Sequence, residues 1–306
     1  MPKADAPVAW VESPLQMIGA AEWAHAHGQR VDLAGRLAVQ VEETASELTT
    51  RGALFGAQAG YYGIPWGMLR RHDHWLVGDG FSGQFRLAVA LLRPRRITFL
   101  DDGMNAVAFA DALTGAREYS RPGVAERGLT RRVAPLALDA VRLRAAAGAV
   151  DVFTAFPLGD ERTRRLSDLG VREEMHAFEW LRATRPAPGT ASALPHDRVI
   201  LGSARVVDGH MSQSEYLGWV REEARRGAAC YLPHRREGDE ILREIERIDG
   251  VRIVRTGLPI EIVLAGSARP LEIATQRSSA AVTLRRVLAG TASVLRVAGA
   301  RREVAR

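Results

Sequence analysis

The sequence predicts an α/β chain of two Rossmann-like domains facing a central cleft. Short apolar runs alternate with amphipathic stretches from end to end, which implies parallel sheets with helices on both faces. The 306 residues exceed what one small core needs and suit two domains. One stretch rich in breakers and small residues, Arg185–Pro195, is the natural linker, dividing 1–190 from 191–306.

Taken in order, Val8–Val11, Leu37–Val41, Trp75–Val77, Ile97–Leu100 and Val152–Ala155 are apolar runs that read as strands of the first domain. Val199–Leu201, Ala229–Leu232, Val251–Val254 and Leu271–Ala274 read as strands of the second. Between them, Leu15–Ala26, Phe85–Leu92, Ser214–Arg226 and Glu240–Ile248 carry helical apolar spacing. Pro259 opens a further short helix, and Ser278-Ser279 precedes a good helical start.

Composition bounds the class. Apolar content of 46% and charge of 25% are those of a soluble globular protein. The net charge is +6, and Lys3 is the only lysine. Arginine's fork suits phosphate and carboxylate, although a solvated basic surface accounts for most of these residues. Cys230 is the single cysteine, which excludes an intramolecular disulfide and a zinc finger. Its run, Ala228–Leu232, predicts a buried apolar role. No stretch has signal-peptide character or the roughly 18 apolar residues of a membrane helix, so a cytoplasmic location is expected. The basic tail Arg296–Arg306 has the charge for peripheral contact with an anionic membrane surface, and a solvated terminus is its ordinary state. Aromatics at 6% without interleaved basic residues argue against nucleic-acid binding.

Gly78-Asp79-Gly80-Phe81-Ser82-Gly83 satisfies G-x-G-x-x-G, with Asp101 and Asp102 near the distance of a ribose-binding acid. That makes an NAD(P)-dependent oxidoreductase the alternative function. Asp79 would set a negative charge inside a loop meant for pyrophosphate, and the preceding strand is not the first of its domain. A tight glycine turn, or a loop lining an acceptor-sugar pocket (Gly78, Asp79, Gly80), fits better.

Four segments sit where an apolar run meets a helical pattern, the place where α/β proteins bind ligands. They are Glu12–Gln16, Asp101–Gly103, Tyr231–His234 and Arg277–Ser279. Adjacent carboxylates at a strand end repel one another and can raise one pKa, which suits a general base; an aspartate N-cap is the bland reading of Asp101 and Asp102. His234, beside Arg235 and Arg236, suits an anion site or an exposed loop. Ser278 and Ser279 suit a helix N-cap and, through the same geometry, a phosphate site. Glu261, in a first helical turn, could bind vicinal ribose hydroxyls or simply complement the helix dipole. The pairs His25/His27 and His72/His74 lack metal-ligand geometry, and no metal site is expected. Together these residues suit transfer of a sugar from a nucleotide-activated donor.

The ordered set resembles the bacterial sialyltransferases of the polysialyltransferase and lipooligosaccharide sialyltransferase group (glycosyltransferase family 52-like). Ser13–Gln16 matches its Ser-Pro-Leu-Gln segment, and Asp101–Gly103 its acidic-acidic-glycine motif. His234 matches its His-Pro motif in part, Ser278-Ser279 its Ser-Ser motif, and Pro259 with Glu261 its Pro-x-Glu pattern. The resemblance implies a GT-B fold, a CMP-activated nonulosonic acid donor, inversion at the anomeric carbon, a glycan acceptor, and neither metal nor cofactor. It implies that Asp101 or Asp102 is the base, Asp101 slightly favoured, and that His234 is the acid or phosphate partner. Ser278 and Ser279 would hold the donor phosphate and Glu261 the ribose, with Pro233 on the donor side and Arg235 adding a charge near the phosphate. Gly202 and Ser203 would approach the nucleotide, and Ser13 and Gln16 would lie on the acceptor side. The family's proline after the histidine is replaced by Arg235, which puts the sugar's identity in question: sialic acid, Kdn, Kdo or a pseudaminic-type sugar.

Overall fold

The computed structural model describes residues 6–100, 103, 105–186 and 194–299. The chain divides into two compact units, Met1–Leu181 and Arg182–Arg306.

The first unit begins β1 (Val8–Val11), α1 (Pro14–Ala26), β2 (Val31–Arg36), α2 (Val39–Thr50), β3 (Phe55–Tyr61), α3 (Trp66–Leu69), β4 (His74–Val77) and α4 (Gly83–Leu92). It continues β5 (Arg96–Phe99), α5 (Asn105–Leu113), α6 (Gly128–Ala146), β6 (Val150–Thr154), α7 (Asp160–Asp168) and β7 (Val171–Met175), and the division between the units falls within α8 (Glu179–Ala183). Its seven parallel strands run in the order β3-β2-β1-β4-β5-β6-β7. The central strand β1 is buried at every position, as helices on both faces require. Trp10, Trp75, Phe85, Phe99 and Val141 share its core, each large side chain contributing about 1.5–3 kcal/mol by leaving water.

The second unit contains β8 (Arg198–Leu201), α9 (Gln213–Ala224), β9 (Ala229–Leu232), α10 (Asp239–Glu246), β10 (Val251–Ile253), α11 (Ile260–Leu264), β11 (Glu272–Thr275), α12 (Ser279–Val287) and β12 (Val294–Val297). The order is β10-β9-β8-β11-β12, again all parallel. Side chains alternate between two cores, as the two-residue period of a strand demands. Val199, Leu201, Cys230 and Leu232 pack on one face; Ile200, Ala229 and Tyr231 pack on the other. Cys230 is fully buried, as its apolar run implies.

Both units have the central-strand reversal of the Rossmann fold, and the chain is an α/β protein of two Rossmann-like units. The reading of Leu37–Val41 as a strand is corrected: the strand is Val31–Arg36, and helix α2 begins at Val39, which is 72% exposed, so the run does not face a sheet core. β3, β7 and β12 are strands that the apolar runs did not mark. Most of the expected linker, 187–193, and the tail beyond residue 299 lie outside the described residues, while Arg296 and Val297 belong to β12. Among the described residues no helix is long and apolar enough to cross a membrane.

Candidate functional site

In an open parallel sheet the ligand crevice forms where neighbouring connections leave a strand end in opposite directions. In the second unit that point lies at the carboxyl end of β8, flanked by β9 and β11. Three predicted segments therefore share one sheet edge: Gly202-Ser203 after β8, Pro233–Arg235 after β9, and Ser278-Ser279 after β11.

Glu237, which the sequence did not single out, organises this edge. Its buried carboxylate accepts the backbone N–H of Ser203 (3.2 Å) and of His234 (2.8 Å), and the hydroxyls of Tyr216 (2.8 Å) and Tyr231 (2.6 Å). The two tyrosine oxygens are 2.7 Å apart. Burial, and then the neighbouring negative charge, push both phenols up, so they remain protonated donors. The β8 and β9 loops are thus tied to one carboxylate. Gly202 is required for this contact, because a Cβ there would meet the His234 nitrogen and a Glu237 oxygen at 2.3 Å each.

The His234 ring is half-buried, and its Nδ1 accepts the N–H of Arg236 at 3.2 Å. The neutral ring therefore carries its proton on Nε2, as a donor. Burial, followed by the charges of Arg236 and Arg235, holds the ring below the usual histidine range, with Asp208 opposing. An incoming phosphate would favour the charged form. Arg236 is engaged with Asp208 (2.7 Å), whereas Arg235 is exposed and pairs with no carboxylate among the described residues.

Ser278 stands at the N-cap of α12 with extended backbone and makes no capping hydrogen bond. The Ala281 N–H of the first turn donates to the Ser278 carbonyl at 3.1 Å, and Ser278 and Ser279 are exposed beside it, at a helix N-terminus of the kind that favours anions. Pro259 caps α11 as expected, and Glu261 in its first turn is only 7% exposed. One Glu261 oxygen accepts the Thr283 hydroxyl of α12 at 2.6 Å. Burial raises its pKa, with the Thr283 hydrogen bond acting against the rise.

In the first unit the reversal lies between β1 and β4, with β5 next to β4. Ser13 and Gln16 form a capping box: the Ser13 hydroxyl accepts the Gln16 N–H (3.4 Å), and the Gln16 side chain accepts those of Glu12 (2.7 Å) and Ser13 (3.2 Å). Asp79 accepts the N–H of Phe81 at 2.9 Å and pairs with Arg121. A cavity of about 640 Å³ opens here, lined by Glu12, Asp79, Ser82 and Arg121 among others. Burial, and then the charge of Asp79, raise the pKa of Glu12, while Arg36 at 3.3 Å opposes. Asp101 and Asp102 lie outside the described residues. Their flanks are placed: Leu100 donates its N–H to Val77 (2.9 Å), and Gly103 has the left-handed φ of 62° that glycine tolerates.

All three motif glycines of the Gly78–Gly83 loop are explained by protein packing. A Cβ at Gly78 would meet Gln16 at 2.2 Å, one at Gly80 the Phe109 ring at 2.4 Å, and one at Gly83 the Thr130 hydroxyl at 2.6 Å. Asp79 is committed to Arg121 in place of a pyrophosphate. The dinucleotide alternative finds no support.

The fold also gathers Glu22, His176 and Glu179, whose ligand atoms lie within 4.8 Å of one another. This grouping spans distant parts of the chain and has no sequence signature. The Glu22 carboxylate already accepts the N–H groups of Trp180 (3.1 Å) and Leu181 (2.8 Å), which anchors the start of α8.

No protein-family model matches the sequence, and no curated protein matches it. Among solved structures, one from Listeria monocytogenes, described as a UDP-N-acetylglucosamine 2-epimerase, is similar with a TM-score of 0.49 and 11% identity over 92% of this chain and 76% of that one.

Proposed function

We propose that this protein is an inverting, metal-independent glycosyltransferase that moves sialic acid or a related nonulosonic acid from a CMP-activated donor to a glycan acceptor. The observation that carries the reading is the alignment of Gly202-Ser203, Pro233-His234 and Ser278-Ser279 on three adjacent parallel strand ends of the second unit. They combine a close backbone approach, a ring N–H donor and an open helix N-terminus at one edge, the components of a phosphate site.

In this reading the donor phosphate lies at the start of α12, against Ser278, Ser279 and Arg235, and Glu261 holds the ribose. The acceptor lies in the first unit, near Ser13, Gln16 and the Gly78–Gly80 loop. The acceptor hydroxyl oxygen attacks the anomeric carbon while the bond from that carbon to the phosphate oxygen breaks. The hydroxyl proton passes to Asp101 or Asp102, and CMP leaves with its departing oxygen stabilised by His234 Nε2–H and the helix N-terminus. Inversion follows from a single displacement. No step calls for a cofactor.

The test is CMP release from a panel of CMP-nonulosonic acids in the presence of EDTA, with Asp101→Asn and Asp102→Asn beside the wild type. Transfer without divalent metal is expected. The variant that removes the base should lose about 100- to 10,000-fold in turnover and still bind CMP. Full activity in both aspartate variants, or loss of CMP binding in EDTA, would reject the mechanism.

A further inference from the structure

We propose that β3, the outer strand of the first unit's sheet, is the surface through which two copies of this chain pair, edge to edge and antiparallel about Ala59, as a two-fold dimer. The pairing uses none of the residues of the transferase reading.

Among the described residues the chain has four sheet edges, β3 and β7 in the first unit and β10 and β12 in the second. An open edge presents a row of unpaired N–H and C=O groups, and native proteins blunt such rows with short strands and charged side chains. Three of the four edges are blunted. β7 carries Arg172, Glu173 and Glu174, β10 is three residues long and carries Arg252, and β12 carries Arg296. β3 is seven residues long and reads Phe-Gly-Ala-Gln-Ala-Gly-Tyr, without a charge.

The second half of β3 has the backbone geometry that pairing requires. The irregularity in its ladder lies between Val31 and Leu33 of β2, and from Gln58 to Tyr61 the register is unbroken. The Tyr61 carbonyl accepts the Leu37 N–H at 3.1 Å, which turns Tyr61 toward β2. Alternation turns Ala59 the same way and points the N–H and C=O groups of Gln58 and Gly60 outward. Ala57, Gln58, Ala59 and Gly60 are all exposed. A two-fold axis at Ala59 sets Gln58 of each copy opposite Gly60 of the other, where they exchange N–H···O=C bonds.

The surroundings of the strand fit a second copy. Residues 52–69 contain no Asp, Glu, Lys, Arg or His, in a chain that is 25% charged. At a net charge of +6 two copies repel one another in general. A two-fold contact places a patch against itself, so an uncharged patch meets no like charge, which is the charge complementarity a homodimer needs. Exposed apolar side chains frame the edge. Leu54 and Tyr62 bracket β3, and Tyr62 is 82% exposed. Leu37 lies against Gly60, and Val39 follows it at the start of α2. Apolar surface gathered in this way marks an interaction site. Pairing consumes the edge in each chain, so the assembly closes at two copies.

The experiment is sedimentation velocity of the full-length protein over a series of concentrations. It is run on the wild type, Ala59→Lys, Ala59→Glu, an equimolar mixture of those two variants, and Leu143→Lys, which changes an exposed leucine of α6. Circular dichroism checks that each is folded. The wild type should sediment as a species of twice 33.4 kDa. Like charges directly opposed at position 59 should raise the dimer dissociation constant about a hundredfold or more. The mixture should pair again, lysine against glutamate, and Leu143→Lys should dimerise as the wild type does. Amide exchange reads the same contact without a substitution: the Gln58 and Gly60 amides of the wild type should exchange more slowly as concentration rises. The proposal is overturned if the wild type is a monomer at every concentration, if the Ala59 variants remain dimers, if their mixture stays monomeric, if Leu143→Lys dissociates the dimer as severely, or if exchange at Gln58 and Gly60 is independent of concentration.

Discussion

Replacing Glu237 perturbs the second unit at the point where its two loops are joined. Glu237→Ala deletes a buried acceptor of four hydrogen bonds. The two tyrosine hydroxyls can still bond to each other, since they are already 2.7 Å apart. The N–H groups of Ser203 and His234 cannot, and each buried orphan costs about 1–3 kcal/mol. A loss of about 4 kcal/mol is expected. Glu237→Gln preserves the volume but exchanges one oxygen for an NH₂ group. Oε1 serves three donors and Oε2 serves the His234 N–H, so the cheaper orientation turns the NH₂ toward His234. One donor then faces another, at a cost of about 2 kcal/mol confined to the histidine loop. Tyr216→Phe and Tyr231→Phe are the controls. Tyr231→Phe removes a hydroxyl that touches neither loop backbone, and Tyr216→Phe one that also meets the Ser203 backbone; both leave the Glu237 bond to the His234 N–H in place and should each cost about 1 kcal/mol with unchanged CMP affinity. Urea denaturation and CMP calorimetry on the four variants read both effects. If Glu237→Gln matches the wild type in stability and affinity, or if the tyrosine variants lose CMP binding as severely, Glu237 is not the residue that positions His234.

Other expectations follow from the same geometry. Gly202→Ala should lower CMP affinity more than any other single methyl addition at this edge, because its Cβ would fall 2.3 Å from the His234 nitrogen, which is backbone and cannot swing aside; affinity equal to the wild type would show that the loops are looser than described. Glu261→Gln should change stability by less than about 1 kcal/mol, since the amide oxygen still accepts from Thr283 and a buried charge is removed. It should nevertheless weaken CMP binding, and calorimetry showing undiminished affinity would exclude a ribose role. His74 donates or accepts at Thr98 (2.9 Å), and burial, followed by Arg96, lowers its pKa to about 4 from an unfolded value of 6.5. The unfolded chain then binds the proton first on acidification. The stabilisation is complete above pH 6.5 and is lost as pH falls toward 4, by about 3 kcal/mol. Urea melts of His74→Gln should show that acid limb flattened, and parallel profiles for variant and wild type would contradict the assignment.

Much of the fold was legible because strands buried on both faces leave continuous apolar runs. β1, β4, β5, β8, β9 and β11 were marked that way, and their carboxyl ends carry the candidate residues. The strands that escaped have one wet face or small side chains. β7 reads Val-Arg-Glu-Glu-Met with only Val171 buried, and β3 alternates glycine, alanine and glutamine. α2 was misread because its N-cap, Ala38, makes no side-chain hydrogen bond and gives no start signal. The strand-end motifs Gly202-Ser203, His234 and Ser278-Ser279 were legible because each joins a strand to a polar turn. Glu237 was not, because nothing in His-Arg-Arg-Glu distinguishes a solvated acid from one enclosed by Tyr216 and Tyr231. The network of Arg86, Tyr119, Arg121 and Glu126 beside the first unit's cavity depends on pairings up to 42 residues apart, beyond the reach of local pattern.

The central claim is that the β8/β11 edge of the second unit is a cytidine-nucleotide phosphate site. Calorimetric titration of the full-length protein with CMP, in EDTA and with NAD in a parallel cell, tests it most directly. One CMP should bind per chain without metal, more weakly in Ser278→Ala and His234→Ala and most weakly in Arg235→Ala, while NAD gives no binding heat. Absence of CMP binding, or CMP binding that none of these substitutions weakens, would contradict the account.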